Sequence, residues 1–288
     1  MNLVSRNLAG RLSLVAVGMT KRARIMMVAV IAGVYVATCI GLTLSQRALI
    51  YHPCHESAAV REAKARAHQF EPWYNATGEQ IGWNRRSKTQ PTAGQMLILH
   101  GNTGCALDWA HFADALQTIA AYDVFLLEYP GYGGRRGSLS QDRIFHAATE
   151  SLALLDREQK VYLVGESLGT GVAAFLAGSF PKTVSGVLLI APYNNMTAVA
   201  QYHLRIFPAG WMLRDKFQSD QYLQSYSGPV GFLLGLYDPS HGPKKLWIEP
   251  GATHDAVHQP KLAWWTEALE FLNSAWSYRS STLSVRYD

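Results

Sequence analysis

Charge is scarce in this chain. Asp, Glu, Lys and Arg make up 16% of its 288 residues, against about 25% in an average soluble protein. Acids are missing altogether from residues 1–55, which hold Arg6, Arg11, Lys21, Arg22, Arg24 and Arg47. The overall net charge of +5 therefore belongs to the N-terminus, and the remainder is nearly neutral. No basic patch remains to support nucleic-acid binding. Cysteine is equally sparse. Cys39, Cys54 and Cys105 have neither metal-ligand spacing nor the pattern of a disulfide framework. A Cys54–Cys105 bond is open to the chain only outside the cytoplasm and is not the expectation. Internal repeats and low-complexity segments are also lacking.

Charged side chains are absent from Ile25 to Gln46, directly after Lys21, Arg22 and Arg24. About 20 apolar residues span a bilayer. The basic flank keeps the N-terminus in the cytoplasm and sends the rest across, to the periplasm if the source is bacterial. A cleaved signal peptide has an apolar region of only about 7–15 residues and an A-x-A site. This run is longer and lacks that site, so an uncleaved single-pass anchor is expected. Residues 1–24 form a basic cytoplasmic N-terminus, 25–46 the anchor, 47–276 one large domain and 277–288 a tail.

Within that domain, strand and helix patterns alternate. The hairpin Trp73–Asn84 comes first. Strands follow at Met96–Leu99, Val124–Leu127, Val161–Val164, Val184–Ile190, Val230–Leu234 and Lys245–Ile248. Helices are expected over Ala106–Ala120, Gln141–Glu158, Leu168–Ser179 and Leu262–Trp276, with Ser140 as an N-cap. Such repetition implies a mostly parallel sheet with helices on both faces and functional loops at the strand C-termini. Residues 192–227 are too long and too apolar for a bare loop. They form either a small helical cap or ordinary packing against the sheet edge.

The stretch Val161–Gly171 carries the chemistry. Gly165-Glu166-Ser167-Leu168-Gly169 sits between a buried strand and a helix, which is the context of a nucleophile elbow. The glycines let strand and helix approach closely. Ser167 then projects at a helix N-terminus, where the N–H of Leu168 favours a developing oxyanion. A serine hydroxyl needs a base, and the base an orienting partner. His254 follows the last strand by a short loop, at the end where a base can reach the elbow; His258 is the second choice.

Four motifs together resemble the α/β-hydrolase superfamily. They are Leu99-His100-Gly101-Asn102-Thr103-Gly104, Glu128-Tyr129-Pro130-Gly131-Tyr132-Gly133, Gly165–Gly171 and Pro250-Gly251-Ala252-Thr253-His254-Asp255. The similarity runs from about Arg47 to Asn273 and is closest to membrane-anchored serine hydrolases with one N-terminal transmembrane helix. It implies an α/β-hydrolase fold: a mostly parallel central sheet, helices on both faces and a small helical cap. It also implies Ser167 as nucleophile, His254 as base, and an oxyanion hole from the N–H groups of Asn102 and Leu168. The family's acid falls just past Val230–Leu234, where Asp238 stands. Only residues 235–244 lie between that strand and the next, fewer than a parallel crossover normally uses. Either Asp238 serves in an unusually tight connection, or the acid has been deleted and Asp215 or Asp220 substitutes.

The expected activity is hydrolysis of a carboxylic ester or thioester through an acyl-enzyme, with no metal and no organic cofactor. The expected substrate is a small-molecule or lipid-like acyl compound. The alternatives are a catalytically impaired hydrolase-like binding or scaffold protein, and a serine peptidase or amidase on the same fold. A haloalkane-type enzyme would need a carboxylate where Ser167 stands.

Overall fold

The computed structural model describes residues 20–233, 244–247 and 262–282. The chain divides between Gln46 and Arg47 into two compact units. The first contains most of helix α1 (Lys21–Ile50), 30 residues long and apolar enough to cross a membrane. At 1.5 Å per residue it measures about 45 Å, more than the roughly 30 Å of a hydrocarbon core. Its polar side chains turn inward along the backbone. The Thr38, Thr43 and Ser45 hydroxyls each donate to the carbonyl one turn back, which satisfies them without water. Its large side chains, Ile25, Val34 and Leu44 among them, face outward.

In the second unit the order is β1 (His52–Pro53), α2 (Ala58–Ala67), β2 (Glu71–Tyr74), β3 (Gln80–Arg85), β4 (Gly94–Leu99) and β5 (Thr103–Gly104). A 3₁₀ turn at Ala106–Trp109 leads into α3 (Ala110–Ile119), β6 (Tyr122–Leu127), α4 (Gln141–Ala153), β7 (Val161–Glu166), α5 (Leu168–Ser179) and β8 (Val184–Ile190). Short helices α6 (Met196–His203), α7 (Ala209–Met212) and α8 (Ser219–Tyr222) precede β9 (Val230–Leu233), β10 (Lys244–Trp247) and α9 (Leu262–Thr282). The eight-stranded sheet runs β10-β9-β8-β7-β4-β6-β3-β2, with β3 antiparallel to both its neighbours, β2 and β6, and the other pairings parallel.

The core strands are buried on both faces and therefore read as unbroken apolar runs. Alternation still sorts them. Leu97 and Leu99 of β4 join Phe145 of α4 and Val172 of α5. Met96 and Ile98 point the other way, to Phe112 of α3 and Trp265 of α9. Burying each such side chain contributes about 1.5–3 kcal/mol.

Two helix boundaries depart from the sequence pattern. Helix α4 stops at Ala153 rather than Glu158, because Gln95 bonds both the N–H and the carbonyl of Asp156 and holds a turn there. The Ser140 cap is present, accepting from the Arg143 N–H. Helix α9 continues past Trp276 to Thr282. The largest departure is covalent: Cys54 and Cys105 are joined in a disulfide. Beside it, β1 pairs in parallel with β5, His52 against Thr103 and Pro53 against Gly104. Two-residue strands and cysteines 51 positions apart carry no periodic signal.

Residues 192–227 combine both sequence expectations. Their C-terminal half packs as core, with Phe217, Leu223 and Tyr226 buried. Gly178 on α5 lies so close to Tyr222 that a Cβ there would fall 2.1 Å from its carbonyl oxygen. The N-terminal half, α6 and α7, stands outward as a small cap.

Candidate active site

The turn from β7 to α5 is built by close backbone approach. Ser167 has φ 47° and ψ −114°, a conformation that side-chain-bearing residues rarely adopt. The turn is held in place by hydrogen bonds. Its N–H donates to the Ile190 carbonyl at 2.9 Å, and its own carbonyl accepts from the Thr170 N–H and hydroxyl at 2.9 and 2.6 Å. Strain of this kind persists only where the surroundings over-determine it. Leu168 is the first residue of α5, where helix N–H groups lack intrahelical acceptors.

The loop after β4 lies against this elbow, since Leu99 pairs with Gly165 across the sheet. A Cβ on Gly169 would meet the Leu99 carbonyl oxygen at 1.9 Å and that of His100 at 2.8 Å. Gly169→Ala must therefore push the loop away from the elbow. The expected cost is about 3 kcal/mol, read as a melting temperature lowered by roughly 6–12 °C. An unchanged melting temperature would show that the two backbones are not in contact.

Asn102, in the same loop, is tied on several sides. Its carbonyl accepts from the His52 N–H and the Tyr132 hydroxyl, both at 2.8 Å, and its side-chain amide donates to the Ile50 carbonyl at 2.9 Å. Tyr193 stands over the elbow, its hydroxyl 3.4 Å from the Leu168 carbonyl.

Residues 95–259 match the family described as the alpha/beta hydrolase fold. The chain belongs to the alpha/beta hydrolase fold family. The chain is 27% identical over 201 residues to the lysophosphatidylserine lipase ABHD12 of Xenopus tropicalis, covering 61% of this chain and 51% of that one. It is 26% identical over 162 residues to the uncharacterized membrane protein YNL320W of Saccharomyces cerevisiae, covering 52% and 56%. The chain thus spans about half the length of the curated relatives it matches. An esterase of Pyrococcus furiosus, PF2001, superposes with a TM-score of 0.54 at 15% identity, over 78% of this chain and 98% of that one. That likeness supports the fold alone.

Of the residues expected to form the hydrolase's site, the structure brings together Ser167, Leu168 and the loop bearing Asn102. Asp238 and His254 lie outside the described residues. Strands β9 and β10 are direct parallel neighbours, so the segment 234–243 that holds Asp238 joins adjacent strands. The substitute acids are otherwise engaged. Asp215 is buried, and its Oδ2 accepts from the Tyr51 hydroxyl at 2.9 Å and from Arg47 Nε at 3.1 Å. Burial first, then the Asp215 carboxylate, pushes the Tyr51 phenol far up, so it remains a donor. Asp220 accepts from the Asn195 amide at 3.0 Å.

One group beneath the site was not assigned a role from sequence. His100 is buried under the loop, stacked near Tyr129 at 4.0 Å. Its Nδ1 lies 2.8 Å from the Gly101 carbonyl, a pure acceptor, so Nδ1 donates. Nε2 then faces Glu128 Oε1 at 3.5 Å. Glu128 also accepts from the Ala106 N–H at 3.2 Å, and Glu166 is buried against Gly101. The signal was present: β4 and β6 are neighbours that end in register, Leu99 against Leu127, which brings the next residues, His100 and Glu128, side by side.

Proposed function

We propose that this chain is a membrane-anchored serine hydrolase that cleaves carboxylic ester or thioester bonds through an acyl-enzyme on Ser167. The observation that carries the reading is the strained elbow conformation of Ser167 at the head of α5. Ser167 Oγ attacks the acyl carbonyl carbon while His254 takes its proton. The N–H groups of Leu168 and Asn102 hold the oxyanion as the tetrahedral intermediate forms. His254 returns the proton to the departing alcohol or thiol. Water then attacks the acyl-enzyme with His254 again as base, releasing the acid and restoring Ser167. Asp238 orients His254.

The substrate class is lipid-like, a monoacyl ester of the lysophospholipid kind, as the lipase-named relatives suggest. Helix α1 anchors the chain, with the N-terminus cytoplasmic and the hydrolase on the far side, the periplasm if bacterial. The Cys54–Cys105 disulfide supports that side, because such bonds persist in oxidising compartments. The test is a fluorophosphonate probe, which forms a covalent adduct with an activated serine. Labelling is expected in the wild type and lost in Ser167→Ala. Undiminished labelling of Ser167→Ala would remove Ser167 from the mechanism.

A further inference from the structure

The outward half of the cap exposes what soluble proteins usually bury. Trp211 is 94% exposed, Ile206 74% and Tyr202 69%. Outside α1 these are the most exposed large apolar side chains of the described residues. They are not scattered singly. All lie on α6, α7 and the turn between them, two helices close enough that a Cβ on Gly210 would sit 3.7 Å from the Thr197 methyl. A cluster of this kind marks an interaction surface.

Its charge says what it meets. From Tyr193 to Arg214 the sequence has no Asp or Glu, and its cations are Arg205 and Arg214. The guanidinium of Arg205 lies 5.6 Å from the Tyr202 ring centre. The first acid, Asp215, is buried and turned to Arg47 and Tyr51. The outward face is thus apolar and aromatic with a positive fringe. Tryptophan and tyrosine favour the head-group level of a bilayer, and arginine favours anionic phospholipid. Arg47 is the first residue after the uncharged run Ile25–Gln46. Its guanidinium reaches Asp215 at 3.1 Å, and Trp211 stands four residues before Asp215, a span of at most about 14 Å.

We propose that the α6–α7 face is a membrane-docking surface. It seats in the head-group layer of an anionic phospholipid bilayer, with Trp211 and Ile206 at the acyl boundary and Arg205 toward the phosphates. The proposal rests on α1 being the anchor but not on catalysis.

The test uses the full chain in mixed phosphatidylcholine–phosphatidylglycerol vesicles. Cys39 is the one free cysteine among the described residues. Labelling it with an environment-sensitive fluorophore reads the anchor. In a Cys39→Ser background, Trp211→Cys reads the cap. Leu154→Cys, exposed at the end of α4 near the strand N-termini, is the control. Nitroxide lipids should quench the probe at 211 about threefold more than the probe at 154. Quenching at Cys39 with none at 211 overturns the docking surface and leaves the anchor standing. Protection of the 211 probe from aqueous iodide without lipid quenching also overturns it, in favour of a protein occupant. An unquenched probe at Cys39 would remove the anchor, and the docking proposal with it.

Discussion

Ser167→Ala should lower hydrolysis of short-chain p-nitrophenyl esters by a factor of about 10⁵–10⁶, or about 7–8 kcal/mol of transition-state stabilisation. The size follows from the role: without Oγ there is no acyl-enzyme, and only binding and the oxyanion donors remain. The fold should be indifferent. Two hydrogen bonds that hold residue 167 in place use its N–H, to Ile190, and its carbonyl, from Thr170, and alanine keeps both. A melting temperature within a few degrees of wild type, together with lost turnover, separates chemistry from folding. Asp238→Asn then reports on the acid. A loss of about 10⁴ is expected if Asp238 orients His254. Full activity in that variant would move the role elsewhere, and Asp215 is badly placed to take it because Tyr51 and Arg47 already occupy its Oδ2. A wild type inert toward every ester would favour the scaffold alternative.

The second large effect is on stability. Replacing both Cys54 and Cys105 by serine should cost about 4 kcal/mol, the chain-entropy value for a bridge spanning 51 residues. For a domain of this size that is a fall of roughly 8–16 °C in melting temperature. The bridge closes directly onto the loop of Asn102, whose carbonyl is held by the His52 N–H from β1. Turnover in the double variant should therefore fall below wild type even at temperatures where it remains folded. Matching melting curves for the two proteins would show that the bridge contributes nothing.

The elbow was legible because it is local. A buried run, two glycines flanking a serine and a helical stretch lie within eleven residues, and each local feature is set by its immediate neighbours. The alternating strands were legible for the same reason. What escaped the sequence depends on meetings between distant segments. Leu154, Leu155 and Glu158 extend a helical pattern beyond Ala153, and Gln95, on a strand distant in sequence, helps to end it together with the local turn at Asp156. The Cys54–Cys105 bond required knowing that the chain after α1 returns to the end of β4. The cap was half legible: its aromatics and prolines announce structure, but not that Phe217 turns inward while Trp211 turns out.

The strand β1 also settles where this hydrolase begins. Ile50, Tyr51, His52 and Cys54 hold Asn102, Asp215 and Cys105. The last turn of α1 is therefore a support of the loop that bears Asn102, and the division between the two compact units falls inside a continuous helix. A form cut after Ile50 would keep His52 and Cys54 but discard the Ile50 carbonyl that holds the Asn102 amide and the Arg47 partner of Asp215. One started at Arg47 would carry all of them.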